Sequence, residues 1–246
     1  MIAFKLNIFL IIVMCLFLQG SMHEVLAEVN QERETIISHD LKNFIHPLGD
    51  WILAANVALK PTDQAQLLFE SNTGNSVVNG TKGKTKHLFT KAEYGDVKLN
   101  VEFMIPIKSN SGLYFQGRYE VQIFDSWGVK SPQFSDCGGI YQRWKNNRGY
   151  EGRSPRSNAS KKPGEWQSYE IIFRAPRFDE KGNKISNAVF ERVVLNGVLI
   201  QEAEELSGPT RSSAFEDEKP MGPLMIQGDH GPVAIRNLQI TPLHQR

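Results

Sequence analysis

The 246-residue chain carries 28 Lys and Arg against 27 Asp and Glu, a net charge of +1, with 10% aromatic residues, 20 Gly and 12 Pro. This balance, with no basic cluster interleaved with aromatics, argues against nucleic acid as a partner. Beyond the N-terminal segment only one cysteine, Cys137, remains, which excludes an intrachain disulfide, and a chain of this length can bury enough apolar surface without one.

Lys5 is followed by an apolar run from Leu6 to Leu18, interrupted only by Asn7, and then by small residues at Gly20, Ser21 and Ala27. That order predicts a secretory signal peptide over residues 1–27, cleaved after Ala27, with Ser21 as the second choice. The run is shorter than the roughly 20 apolar residues a transmembrane helix needs. Cys15 has no small residue before it, which does not suit a lipoprotein signal. The mature chain is therefore expected to be secreted or periplasmic, with no membrane span once the signal is removed. Residues 28–45 are polar, hold the one modest helical pattern, and are expected to form an N-terminal arm ahead of a single domain over 46–246.

From Trp51 onward short alternating runs recur between turn signals, which predicts a β-sandwich or barrel. "WILAANVALK" and "AQLLFES" are strand candidates, and "NTGNSVVNGTKGK" is a turn-rich hairpin region. "VKLNVEFMI" places Val97, Leu99, Val101, Phe103 and Ile105 on one face. "SGLYFQ" and "YEVQIFD" follow, joined by a two-residue link, Gly117-Arg118, that would set Glu120 opposite Phe115 and Gln122 opposite Leu113. "GGIYQRW", a long loop from Lys145 to Gly164, "WQSYEIIFRA", "FERVVLNGVLI", "PLMIQG" and "VAIRNLQITPL" complete the series, with an Asn-Gly hairpin signal inside "LNGVLI". The expected fold is all-β, a two-sheet jelly-roll sandwich with one sheet curved around a ligand groove.

Three constellations carry candidate chemistry. In "YEVQIFD" the period of two puts Glu120 and Gln122 on one face, and a bulge near Phe124 would add Asp125. The E-x-Q-x-x-D spacing resembles the catalytic E-x-D-x-x-E strand of laminarinase-type glucanases, where carboxylates about 5 Å apart serve a retaining glycosidase. The plainer alternative is a solvated sheet face with Asp125 as a strand-end turn residue. "QGDHGP" sets His230 in a tight turn between apolar runs, where it could move a proton near neutral pH or be incidental to the hairpin. His39, His46, His87 and His244 have no comparable setting, although His87 precedes a strand. Tyr141, Arg143, Trp144 and Asn158 lie in or beside the long loop, with aromatic faces suited to sugar rings and polar groups suited to hydroxyls. Asn158 also opens an N-A-S glycosylation sequon. Trp166 is expected in the core, and Cys137 as a small buried hydrophobe rather than a nucleophile.

Taken together, "YGDVKLNVEF", "SNSGLYFQGRYEVQIFDS", "GGIYQRW", "NASKKPGEWQSYEIIFRAPRFD" and "GPLMIQGDHGPVAIRNLQITPL" resemble the 3-keto-disaccharide hydrolase domain family, over about Trp51 to Leu243. The resemblance implies a concanavalin A-like jelly roll, bacterial secretion, and hydrolysis of glycosides whose sugar carries a ketone at C3. A C3 ketone acidifies the C2 proton, so a base can form an enolate, the C1 substituent can leave, and water can add. On that route Glu120 is the base, His230 the acid and Asp125 a second carboxylate. Arg143, Gln122, or a divalent cation held by Glu120, Asp125 and His230 would stabilise the enolate. Candidate substrate-binding residues are Tyr114, Gln116, Arg118, Gln122, Tyr141, Arg143, Trp144, Asn158, Gln227 and Asp229. Two alternatives stay open: a non-catalytic carbohydrate-binding module using the same face, and an ordinary retaining glycosidase, which Gln122 between the two acids weakens.

Overall fold

The computed structural model describes residues 32–244, and no helix occurs among them. The signal peptide predicted over 1–27 lies outside the described residues. The strands, in chain order, begin with β1 (Glu34–Thr35), β2 (Ile52–Lys60), β3 (Asp63–Ser71), β4 (Ser76–Val78), β5 (Leu88–Tyr94) and β6 (Val97–Met104). They continue with β7 (Asn110–Phe115), β8 (Tyr119–Phe124), β9 (Arg143–Lys145), β10 (Arg148–Tyr150), β11 (Gln167–Arg174) and β12 (Arg177–Phe178). Last come β13 (Lys184–Ser186), β14 (Ala188–Leu195), β15 (Val198–Leu206), β16 (Gly222–Ile226) and β17 (Ala234–Pro242).

These strands form the two-sheet jelly-roll sandwich expected from the alternation. The larger sheet runs β15-β14-β11-β6-β17-β4-β2-β3, with β1 on β17, and the smaller runs β5-β16-β7-β8. Strand β6 shows why the pattern works. Val97, Leu99, Val101 and Phe103 point inward and are buried, while Lys98, Asn100 and Glu102 face outward. The two sheets meet through aromatic contacts: Phe115 of the smaller sheet lies 5.0 Å from Phe173 and 5.2 Å from Phe190 of the larger, and Tyr119 lies 5.4 Å from Phe173. Burial of each such ring contributes about 1.5–3 kcal/mol. Cys137 behaves as expected. It is buried in this core beside the Tyr169 hydroxyl, and burial pushes its thiol pKa up.

Three sequence expectations are corrected here. The helical pattern in the N-terminal arm is not realised over its described part: Glu34–Thr35 pairs with β17, and Ile36, Ile37, Leu41 and Phe44 are buried in the core. These apolar side chains gain more from burial in the core than a solvated helix would give them. The loop after Lys145 is partly strand, because Asn146 and Asn147 adopt positive φ (53° and 56°) and turn β9 back onto β10. The β7–β8 link is three residues, Gln116 to Arg118, instead of the expected two, which shifts the register by one. Gln116 and Gly117 take positive φ (56° and 66°), and Tyr114, not Phe115, stands opposite Glu120. A one-residue slip exchanges the faces of a strand, so Phe115 goes to the core and Tyr114 to the Glu120 side. The Asn196-Gly197 hairpin, by contrast, forms where expected, with φ of 53° and 83°.

Asn79, which follows β4, ties the two ends of the fold together. Its Nδ2 donates to the carbonyls of Gly228 (3.0 Å) and Gly231 (2.8 Å), and its Oδ1 accepts from Val233 N (2.8 Å). This fully buried side chain therefore braces the turn that carries Asp229 and His230. Asn79→Ala would leave Val233 N and Gly231 O without these partners, each worth about 1–3 kcal/mol, while Gly228 O still accepts from Thr85 N. We expect a loss of roughly 3 kcal/mol in a urea titration, and a wild-type midpoint would show that the turn is held by other contacts.

Candidate active site

Glu120 is the centre of the candidate site. It lies on β8, is 2% exposed, and its neighbours come from the hairpin partner β7 and from three segments farther along the chain. On β7, Tyr114 stands directly opposite, and its hydroxyl hydrogen-bonds to the Glu120 carboxyl. The free edge of β8 is covered by Gly138–Tyr141. Val121 bridges Ile140, Gln122 N donates to Gly139 O (2.9 Å), and Tyr141 N donates to Glu120 O (3.2 Å). That pairing sets Tyr141 beside Glu120 on the same face. From a loop after β15, Thr210 Oγ1 accepts from Glu120 N at 3.2 Å. Turned to face its acceptors, the Gln122 amide nitrogen donates to Glu120 Oε1 and to the Ser111 carbonyl, both at 3.1 Å.

Room for the carboxyl comes from Gly112 on β7. A Cβ there would stand 2.3 Å from Glu120 Oε1, so any side chain would displace the acid. The electrostatics follow from this packing. Burial pushes the Glu120 pKa up to about 8, the Tyr114 hydrogen bond pulls it down, and the charge of Asp229 adds to the rise. Tyr114 is pushed up as well, chiefly by burial and then by the Glu120 charge.

The turn after β16 forms the second part of the site. His230 Nδ1 lies 2.5 Å from Asp229 Oδ1, and both side chains are exposed. His87 flanks the same carboxylate at 3.9 Å and accepts a hydrogen bond from Gly228 N at 3.3 Å. Gln227 follows β16, whose Met225 pairs with Tyr114, so alternation places the Gln227 amide on the Glu120 face, beside Gly112. It is 7% exposed, and its Oε1 has no hydrogen-bond partner.

Other candidates lie away from this cluster. The pairing of β7 with β8 has no bulge, so Asp125 stays off the Glu120 face. Its carboxylate instead accepts from the backbone of Lys108 (2.9 Å) and Trp127 (3.4 Å), as a strand-end cap. Gln116 donates to the Tyr94 and Pro220 carbonyls. Arg118 is buried and clasps Asp217 at 2.7 Å, and Arg143 is held by Glu151, Ser207 and the Pro209 carbonyl. Trp144 lies under the Arg211 guanidinium (3.9 Å) and is 43% exposed. Asn158 donates to the Ser126 and Val129 carbonyls, which shapes the loop after β8. The predicted cation set of Glu120, Asp125 and His230 is not assembled, and among the described residues no three acidic, His or Cys side chains converge in a way that would hold a metal ion. Thr210, Gly112, His87 and Asn79 escaped the sequence reading. Only the position of His87 before a strand hinted at any of them.

The fold is similar to known structures. A crystal structure of a candidate glycosyl hydrolase from Parabacteroides distasonis is similar at 26% identity, with a TM-score of 0.62, over 86% of this chain and 84% of that one. A second from the same organism, at 20% identity and a TM-score of 0.55, covers 86% of this chain and 100% of the other, and shows the shared fold. Among curated proteins none matches. The model of the 3-keto-alpha-glucoside-1,2-lyase-like domain matches residues 48–241, most of the chain, and by that match the protein belongs to this family.

Proposed function

We propose that this protein cleaves 3-keto-glycosides by elimination across C1 and C2, followed by hydration, with Glu120 as the base. Family membership and the similar candidate glycosyl hydrolase support a glycosidase-like enzyme acting on carbohydrate. The observation that carries the finer reading is one buried carboxyl, raised to about 8 and held between two neutral donors, Tyr114 and Gln122. A carboxylate with a pKa near the working pH is a much stronger base than a free glutamate and is still partly ionised. Glu120 takes the C2 proton, and the C–H pair forms a C2–C3 double bond as charge moves to the C3 oxygen. The returning pair makes a C1–C2 double bond and expels the C1 oxygen. His230, oriented by Asp229, supplies a proton to that oxygen, and water then adds at C1. With Asp125 turned away, the Glu120–Asp125 pair that an ordinary retaining glycosidase would use is not formed. The predicted N-terminal signal supports export to the periplasm or medium, and the mass of the mature protein would test cleavage after Ala27.

Glu120→Gln should remove about 100- to 10,000-fold of the turnover while sugar binding persists. Near wild-type turnover would reduce Glu120 to a buried structural acid. Because the ionised form is the active one, kcat/KM of the wild type should rise with pH through about 8. A profile flat across that range would contradict a Glu120 base.

Stability should move in the opposite sense. A carboxyl whose folded pKa lies above its unfolded value binds its proton more tightly in the folded state. Stability is then lost as pH rises from the ordinary value of 4.5 toward about 8. Glu120→Gln has no such loss, so it should gain on the wild type in urea titrations as the pH is raised from 5 to 9. An unchanged difference would mean that the carboxyl is not buried as described.

The route itself is tested with paired substrates. The C3 ketone supplies the acidity that elimination needs, so 3-keto-glucosides should be cleaved and the parent glucosides hardly at all. Deuterium at C2 should wash into solvent or slow the reaction. Equal cleavage of both forms with the label fully retained would point to an oxocarbenium route instead.

A further inference from the structure

We propose that Tyr141 is a further catalytic residue, whose hydroxyl donates to the C3 oxygen of the sugar as the enolate forms. The proposal rests on the reading of Glu120 as the C2 base. Two tyrosines flank that acid in one row across the sheet, Tyr114 from β7 and Tyr141 from the segment that covers the free edge of β8. They are not equivalent. Tyr114 is 1% exposed, and its hydroxyl is committed to the Glu120 carboxyl. Tyr141 is only half-buried, and its hydroxyl is close enough to Tyr114 to be felt there as a charge. Among the described residues no side chain claims it.

The ring is aimed rather than loose. Phe134 packs against it at 5.6 Å in an edge contact, and Tyr141 N is held by Glu120 O. Gly152 leaves the space that Phe134 needs, since a Cβ there would lie 2.6 Å from that ring. A tyrosine hydroxyl carries one O–H that can donate to a developing oxyanion. In the proposed step Glu120 receives the C2 proton, the C–H pair enters the C2–C3 bond, and the C3 oxygen gains the negative charge. A donor next to the base meets that oxygen because C2 and C3 are adjacent in the sugar. The arginines that could have served instead, Arg118 and Arg143, are bound to Asp217 and Glu151.

The test compares wild type, Tyr141→Phe and Tyr141→Ala on one 3-keto-glucoside, following aglycone release and loss of a C2 deuterium label. Removing one oxyanion donor lowers kcat by about 100- to 1,000-fold. Tyr141→Phe keeps the ring against Phe134, so it should show that loss in kcat and in label exchange with little change in KM. Tyr141→Ala should be no more than slightly slower than Tyr141→Phe, because the hydroxyl and not the ring carries the effect. If Tyr141→Phe keeps the wild-type kcat, or changes KM alone, the hydroxyl has no part in the chemistry and the proposal falls while Glu120 stands. If the wild type itself neither releases aglycone nor exchanges the label, the reading of Glu120 fails, and this inference with it.

Discussion

The pairing of Tyr114 with Glu120 across β7 and β8 is the contact on which the candidate site depends. Taking a carboxyl out of water is expensive unless its polar atoms are satisfied. Here the donors are a phenol and an amide, both neutral, so no positive charge offsets the burial, which raises the Glu120 pKa to about 8 against the pull of the Tyr114 hydrogen bond. An arginine in either position would have kept the same carboxyl acidic and chemically idle. The fold keeps its guanidinium groups elsewhere: Arg118 is turned to Asp217, Arg143 to Glu151, and Arg174 and Arg177 to the buried Asp96.

Around this contact the sandwich acts as a rigid frame for segments far apart in the chain. The aromatic contacts among Phe115, Tyr119, Phe173 and Phe190 hold β7 and β8 against the larger sheet. The outer face of the same two strands is then free to carry Tyr114, Glu120 and Gln122. Three separate pieces complete it: Gly138–Tyr141 on the open edge, Thr210 on the backbone of Glu120, and the Gly228–Val233 turn braced by Asn79. Sites supported on strands and braced turns hold their geometry better than sites on unsupported loops, and this one combines both. Close approach at Gly112 is part of the same design, since the carboxyl occupies the volume that a side chain would take.

Much of the fold was legible because strand alternation is a local property. The inward series of β6, the Asn196-Gly197 hairpin and the all-β architecture needed only neighbouring residues to be recognised. Glu120, Tyr114, Gln122, Tyr141, Gln227, Asp229 and His230 were all named from local patterns, and the structure places them on or around one sheet face. Asp125, Gln116, Arg118, Arg143 and Asn158 carried equally suitable chemistry, yet each is occupied by a partner many residues away or by local backbone. Composition and spacing do not reveal such partners, because a hydrogen bond to Pro220 or Asp217 exists only once the loop after β15 has folded back.

The amino-acid sequence by itself determined which residues alternate, where the turns fall and which side chains have the chemistry for proton transfer. Tertiary structure alone decided the β7–β8 register, through the positive φ of Gln116 and Gly117, and with it the choice of Tyr114 over Phe115 as the neighbour of Glu120. It also decided that β8 runs without a bulge, which separates Asp125 from the acid it was expected to join. The reason is physical: alternation assigns residues to faces within one strand, but register and burial depend on which strand lies alongside and what covers the sheet. The pKa of Glu120 belongs to that second level, because it is set by the water that the assembled fold excludes.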